Sequence, residues 1–193
     1  MGPTIRRSHA AAALGLTLAV LAASALSGGL LAQGAEPASK RIARATLVNA
    51  AGQTVGSVRF ERRGKSRALR VTVSARKLSP GFHGFHVHTI GTCEAPTFVS
   101  AGPHLNPGGA THPAHAGDMP PLLVTTGGTA ESRFKTDRFS LASLRDADGS
   151  AVMVHALADN HTNIPTERYD PDPDAATLAT GDSGTRVACG LVR

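Results

Sequence analysis

"RALRVTVSARKL", Arg67 to Leu78, alternates apolar and polar residues from Leu69 to Arg76. Leu69, Val71, Val73 and Ala75 share one face, while Arg70, Thr72, Ser74 and Arg76 share the other. A period of two is that of a strand with one face in a core and one in water. Working outward, "RATLVNAAGQTVGSVRFERR" (44–63) sets two short runs around "NAAGQ", which predicts a hairpin. Further on, "LLVTT" and "AESRFKTD" flank "GG", and "GSAVMVHAL" and "RVACGLV" supply the last runs. This predicts an all-β chain of about eight strands and no convincing helix. Residues 89–120 and 158–185 have little periodicity and much Gly, Pro, Asp and Thr. Loops longer than about 12–15 residues are usually functional or disordered.

The start of the chain does not belong to this pattern. "MGPTIRRSHA" has Arg6 and Arg7 and no acid, and "AAALGLTLAVLAASAL" is an apolar run followed by small residues. These are the three parts of a secretory signal. Residues 1–35 are expected to be removed, after Ala35 in preference to Ala25, with 36–42 as a short linker and 43–193 as the folded domain. The run is short for a membrane span, so no stable insertion is expected after cleavage. No cysteine lies near it to carry a lipid, and the Arg pair hints at a twin-arginine route. The protein is therefore expected in the periplasm or cell envelope, or outside the cell.

With 20 Lys and Arg against 14 Asp and Glu, the formal charge is +6. Losing Arg6 and Arg7 with the leader lowers it by two. The basic residues are scattered along strands with no run beyond paired arginines, which reads as a solvated surface and not as a nucleic-acid interface. The only two cysteines, Cys93 and Cys189, fall in the exported part, where such a pair usually forms one disulfide. It would close a loop of about 97 residues, worth about 4–5 kcal/mol on the chain-entropy account. Apolar strand residues serve a core or a homodimer face equally well.

"GFHGFHVHTIGTC" (81–93) concentrates the chain's scarce histidines. On a strand, His86 and His88 point one way and Phe85 and Val87 the other, which makes a two-toothed metal grip. His155 in "AVMVHA" follows the same logic opposite Val152 and Val154. "HLNPGGATHPAHAGD" (104–118) holds His104, His112, His115 and Asp118; three imidazoles and a carboxylate suit a tetrahedral zinc site.

Taken in order, "GFHGFHVH", "SAGPHLNP", "HAGD", "VMVHALAD" and "GTRVACG" resemble the copper/zinc superoxide dismutases across roughly residues 43–193. The loop "ADNHTNIPTERY" is similar to the actinobacterial branch. The resemblance implies a Greek-key β-sandwich or barrel with two long functional loops. It implies copper on His86, His88, His104 and His155, and zinc on His104, His112, His115 and Asp118, with His104 bridging. Asp159 would orient His86 and His112. Arg186 would hold the substrate anion, superoxide, and His104 would relay a proton. Copper redox cycling would then turn two superoxide and two protons into dioxygen and hydrogen peroxide, protecting the envelope or exterior. His83 would be structural and His161 a surface residue. The second loop brings Glu167, Asp170, Asp172, Asp174 and Asp182 to a region that guides the anion in the family.

Two rivals differ in testable residues. A cupin-type oxygenase wants a Glu three or four residues after the H-x-H pair, where this chain has Gly91, Thr92 and Cys93. A non-catalytic copper-binding module of the same fold would be expected to lack Arg186 or a copper ligand, and none is missing.

Overall fold

The structure, a computed structural model, describes residues 38–161 and 173–193. The expected signal segment 1–35, the start of the linker, and Glu167, Asp170 and Asp172 lie outside the described residues. After a single helical turn, α1 (Ala38–Arg41), come β1 (Ile42–Asn49), β2 (Thr54–Arg62), β3 (Leu69–Arg76), β4 (Gly81–His83) and β5 (Phe85–His88). Then follow β6 (Leu122–Val124), β7 (Thr129–Thr136), β8 (Ala151–His155), α2 (Ala175–Thr180) and β9 (Arg186–Leu191). Seven strands form one antiparallel sheet in the order β5-β8-β9-β1-β2-β3-β7, and β4 pairs with β6.

The β3 stretch behaves as its alternation requires, with Leu69, Val71, Val73 and Ala75 buried. On β2 the buried residues are Val55, Val58 and Phe60, so the period slips by one. The cause is a bulge: Leu47 pairs with Gly56 and Val48 with Thr54, which leaves Val55 as the extra residue. One core gathers residues from strands all along the sheet and from β4–β6, Leu47, Phe60, Leu69, Val87, Leu122 and Val154 among them. The sheet must therefore curl around it as a half-barrel. A second, smaller cluster of Phe98, Ala101, Ala151, Met153 and Cys189 lies on the other face of β8 and β9, under the first long loop.

Among the described residues there are nine strands, where the alternation predicts about eight. The histidine segment is split at Gly84: β4 pairs with β6, whereas β5 pairs with β8. The second loop also contains α2, a helix that the pattern of residues 158–185 does not predict. Asp174 caps it by accepting from the Thr177 amide at 2.8 Å, and Gly181 ends it in the left-handed conformation. Six residues are too few for the periodicity that reveals a helix. Among the described residues, no helix is long and apolar enough to cross a membrane.

Candidate metal centre

β5 is where the site begins. Its register with β8 sets His86 opposite Met153 and His88 opposite Ala151, while the His155 amide donates to Gly84 O at 2.9 Å. The free edge of β5 is taken by the first long loop. Val87 N–H donates to Gly117 O at 2.9 Å, and Leu105 N–H donates to Val87 O at 2.8 Å. Isolated bridges then place His104 beside His88 and Asp118 beside His86. Gly117 is needed for this approach, because a Cβ there would lie 2.2 Å from Val87 O. The loop covers the outer face of β5, so all four of its residues are buried, histidines included.

Two sets of side chains result. His86, His88, His104 and His155 form one, and His104, His112, His115 and Asp118 form the other; within each, one ligand atom per residue lies within 4.8 Å of the rest. All seven residues are buried. Three of the four rings in the first set are held from behind. His86 Nε2–H donates to Asp159 Oδ2 at 2.7 Å, His88 Nδ1–H to Gly102 O at 2.8 Å, and His155 Nδ1–H to Gly184 O at 3.1 Å. Carboxylates and carbonyls accept only, so each bond places the proton on that nitrogen and leaves the other with a lone pair.

Those other nitrogens are the telling feature. His86 Nδ1, His88 Nε2, His104 Nε2, His112 Nδ1, His115 Nδ1 and His155 Nε2 are buried and make no hydrogen bond. A buried polar atom without a partner costs about 1–3 kcal/mol. Six of them converging on two points fit cations, and the donor types match: all imidazole suits copper, and imidazole with one carboxylate suits zinc. His112 Nδ1 and His115 Nδ1 each lie 3.3 Å from Asp118 Oδ2 without hydrogen-bond geometry. That is the spacing expected of atoms facing a common centre.

Asp159 links the two sets. Its Oδ1 accepts from His112 Nε2 at 2.8 Å while Oδ2 takes His86. Gly181 makes room for it: a Cβ there would fall 2.3 Å from Asp159 Oδ1 and 2.4 Å from His112 Nε2. The electrostatics follow. Burial pushes the pKa of His88 well below its usual value and that of His155 down to about 3; it also lowers His86 and His115. For His112 burial is outweighed by the Asp118 and Asp159 carboxylates, which hold its pKa at about 9. Burial acts to raise Asp118 and Asp159, yet their histidine partners keep both well below the usual carboxylate range.

Arg186 stands at the mouth, half-buried, in a pocket of about 540 Å³ shared with His88, His104 and His155. Its Nη1 donates to Phe98 O at 2.6 Å and its Nη2 to Gly102 O at 2.7 Å. Gly102 O thus receives both Arg186 and His88. Desolvation lowers the arginine's pKa without discharging it. The Cys93–Cys189 disulfide, with Cα atoms 5.7 Å apart, ties the same loop to β9.

Every described residue singled out in the sequence therefore has a place. His83 is buried and braces strands, with Nδ1 donating to His155 O at 2.6 Å and Nε2 lying 2.8 Å from Ser79 O. His161 is exposed beside Asp159, whose Oδ1 accepts its amide at 2.8 Å. Asp174 is a helix cap, and Asp182 Oδ2 accepts from Asn160 Nδ2 at 3.1 Å. What the sequence did not disclose were the backbone carbonyls of Gly102 and Gly184, because main-chain acceptors carry no residue signature.

The family model described as copper/zinc superoxide dismutase (SODC) matches residues 54–192. The chain is 37% identical over 200 residues to "Superoxide dismutase [Cu-Zn]" of Mycobacterium tuberculosis, covering 95% of this chain and 83% of that one. It is 36% identical to the protein of that name from Mycolicibacterium paratuberculosis, over 100% of this chain and 92% of the other. Among solved structures, a SOD-like protein from Bacillus subtilis is similar with a TM-score of 0.64 at 31% identity, covering 77% and 96% of the two chains. The clock protein EA4 is similar at 0.64 and 27%, covering 79% and 94%.

Proposed function

Since the chain belongs to the copper/zinc superoxide dismutase family, whose members are oxidoreductases with copper and zinc as cofactors, we propose how its residues divide the work. His86, His88, His104 and His155 hold copper; His104, His112, His115 and Asp118 hold zinc. Bound copper supplies the one-electron exchange by which two superoxide and two protons become dioxygen and hydrogen peroxide. Arg186 draws the anion into the mouth and orients it through charge and N–H donors, its guanidinium kept in place by the Phe98 and Gly102 carbonyls. His104 Nε2 carries the proton, while its Nδ1 stays on the Asp118 side. Asp159 holds His86 and His112 at the angles both sets need. The loop over β5 keeps bulk water from the buried nitrogens.

The observation that carries this reading is the convergence of six partnerless buried imidazole nitrogens beside an arginine. The test is metal content measured together with superoxide decay. One copper and one zinc per chain with fast decay is expected; bound copper without decay would overturn the assignment in favour of a copper-binding module. Arg186→Ile should keep copper and slow decay by about 10-fold or more, the scale lost when a positioned charge is removed.

We also propose export, with residues 1–35 removed. The disulfide supports an oxidising compartment. The mature amino terminus, read by mass spectrometry from the producing cell, is expected at Glu36; an intact Met1 form in the cytosol would overturn this.

A further inference from the structure

We propose that Arg138 positions the zinc-binding loop, holding the short His112–His115 stretch in the shape that lets His115 and Asp118 meet the metal. The inference rests on the zinc assignment above. Arg138 follows β7, outside the metal loop. Its Nη1 donates to Pro113 O at 2.9 Å and to His115 O at 3.3 Å. Those two carbonyls lie between the ligands and on the second of them. Only two residues, Pro113 and Ala114, separate His112 from His115, so their backbone has little freedom to correct a displaced ring. The hold passes on, because the His115 amide donates to Asp118 Oδ2 at 3.0 Å.

The anchor adjoins the core. The next residue, Phe139, is buried and meets Phe60 of β2 edge-on, ring centres 5.8 Å apart. The Arg138 amide donates to Thr136 Oγ1 at 3.3 Å. The loop is thus tied to the barrel wall by a side chain whose neighbour is packed in the core.

Charge and position predict opposite outcomes here. A guanidinium beside a cation site repels the cation, so removing it should tighten zinc if charge alone mattered. If positioning dominates, removing it should loosen zinc by about 10- to 100-fold, the usual effect of losing a group that orients metal ligands.

The experiment uses the full chain as wild type, Arg138→Ala, Arg138→Lys and, as a control for loss of charge, Arg133→Ala on exposed β7. Zinc affinity is measured by chelator competition, cobalt(II) in the zinc site reports its geometry through the visible spectrum, and melting is followed with and without zinc. Arg138→Ala is expected to bind zinc about 10- to 100-fold more weakly with an altered cobalt spectrum. Its copper content and metal-free melting should stay near wild type. Arg138→Lys should fall between, and Arg133→Ala should match wild type. Zinc affinity equal to or tighter than wild type in Arg138→Ala would overturn the proposal. So would a metal-free melting loss as large as the zinc-bound one. A wild type that binds no zinc would overturn the zinc assignment itself, and this inference with it; the wild-type arm makes the two failures distinguishable.

Discussion

Asp159 concentrates the logic of the site in one side chain. A single carboxylate accepts from His86 and from His112, so it sets two rings that belong to different metals. Asp159→Asn leaves one oxygen to accept and one amide that can only donate, so one of the two bonds must be lost. Copper and zinc retention are both expected to fall by about 10–100-fold, measured by chelator competition at each metal. A loss confined to one metal would show that the bridge does not couple them. Asp159 and its partners His86 and His112 were legible through the family motif "VMVHALAD", but not from spacing, since the partners are 73 and 47 residues away in sequence.

At the scale of elements, short pieces are fixed by what closes over them. α2 is held by the Asp174 cap and by Gly181, whose φ is +66°. Gly181→Ala would strain that turn and push a methyl against Asp159. The expected outcome is weaker binding of both metals together with a lower melting temperature. The first long loop is fastened twice to β9, by Cys93–Cys189 and by Arg186 on Phe98 O and Gly102 O. Replacing both cysteines by serine should lower stability by up to about 4–5 kcal/mol in denaturant titration. Dismutation should fall as well, because the arginine loses its frame. The long strands β1, β3 and β7 were legible because each repeats its period over eight residues. Gly84 and the Val55 bulge were not, because both are settled by pairing partners.

For the whole molecule, seven buried metal-site residues impose a pH dependence on the metal-free form. His86, His88, His115 and His155 titrate below 6.5 in the folded chain, so at acid pH the unfolded chain binds protons that the native one refuses. Asp118 and Asp159 are also depressed, and their contribution is likewise lost as pH falls. His112 acts in the other sense: raised from 6.5 to about 9, it contributes stability that fades as pH climbs through that value. Metal-free protein should therefore melt at its highest temperature near neutral pH. The melting point should drop steadily between pH 6.5 and about 3, the range bounded by His155, and on the alkaline side the His112 contribution should be lost between 6.5 and about 9. Melting curves that do not change between pH 7 and pH 4 would contradict these burial assignments.

The sequence by itself determined the β class, through alternation, and the kinds of ligand present, because imidazole and carboxylate chemistry travels with residue type. It also carried the family, through five motifs kept in order. The tertiary structure decided which nitrogens face which centre, since that depends on the hydrogen bond each ring makes from behind. It decided as well that Arg138, one of many scattered basic residues in the sequence, grips the carbonyls of a metal loop. Contacts to main-chain oxygens depend on where the backbone passes, and a string of side chains does not record that.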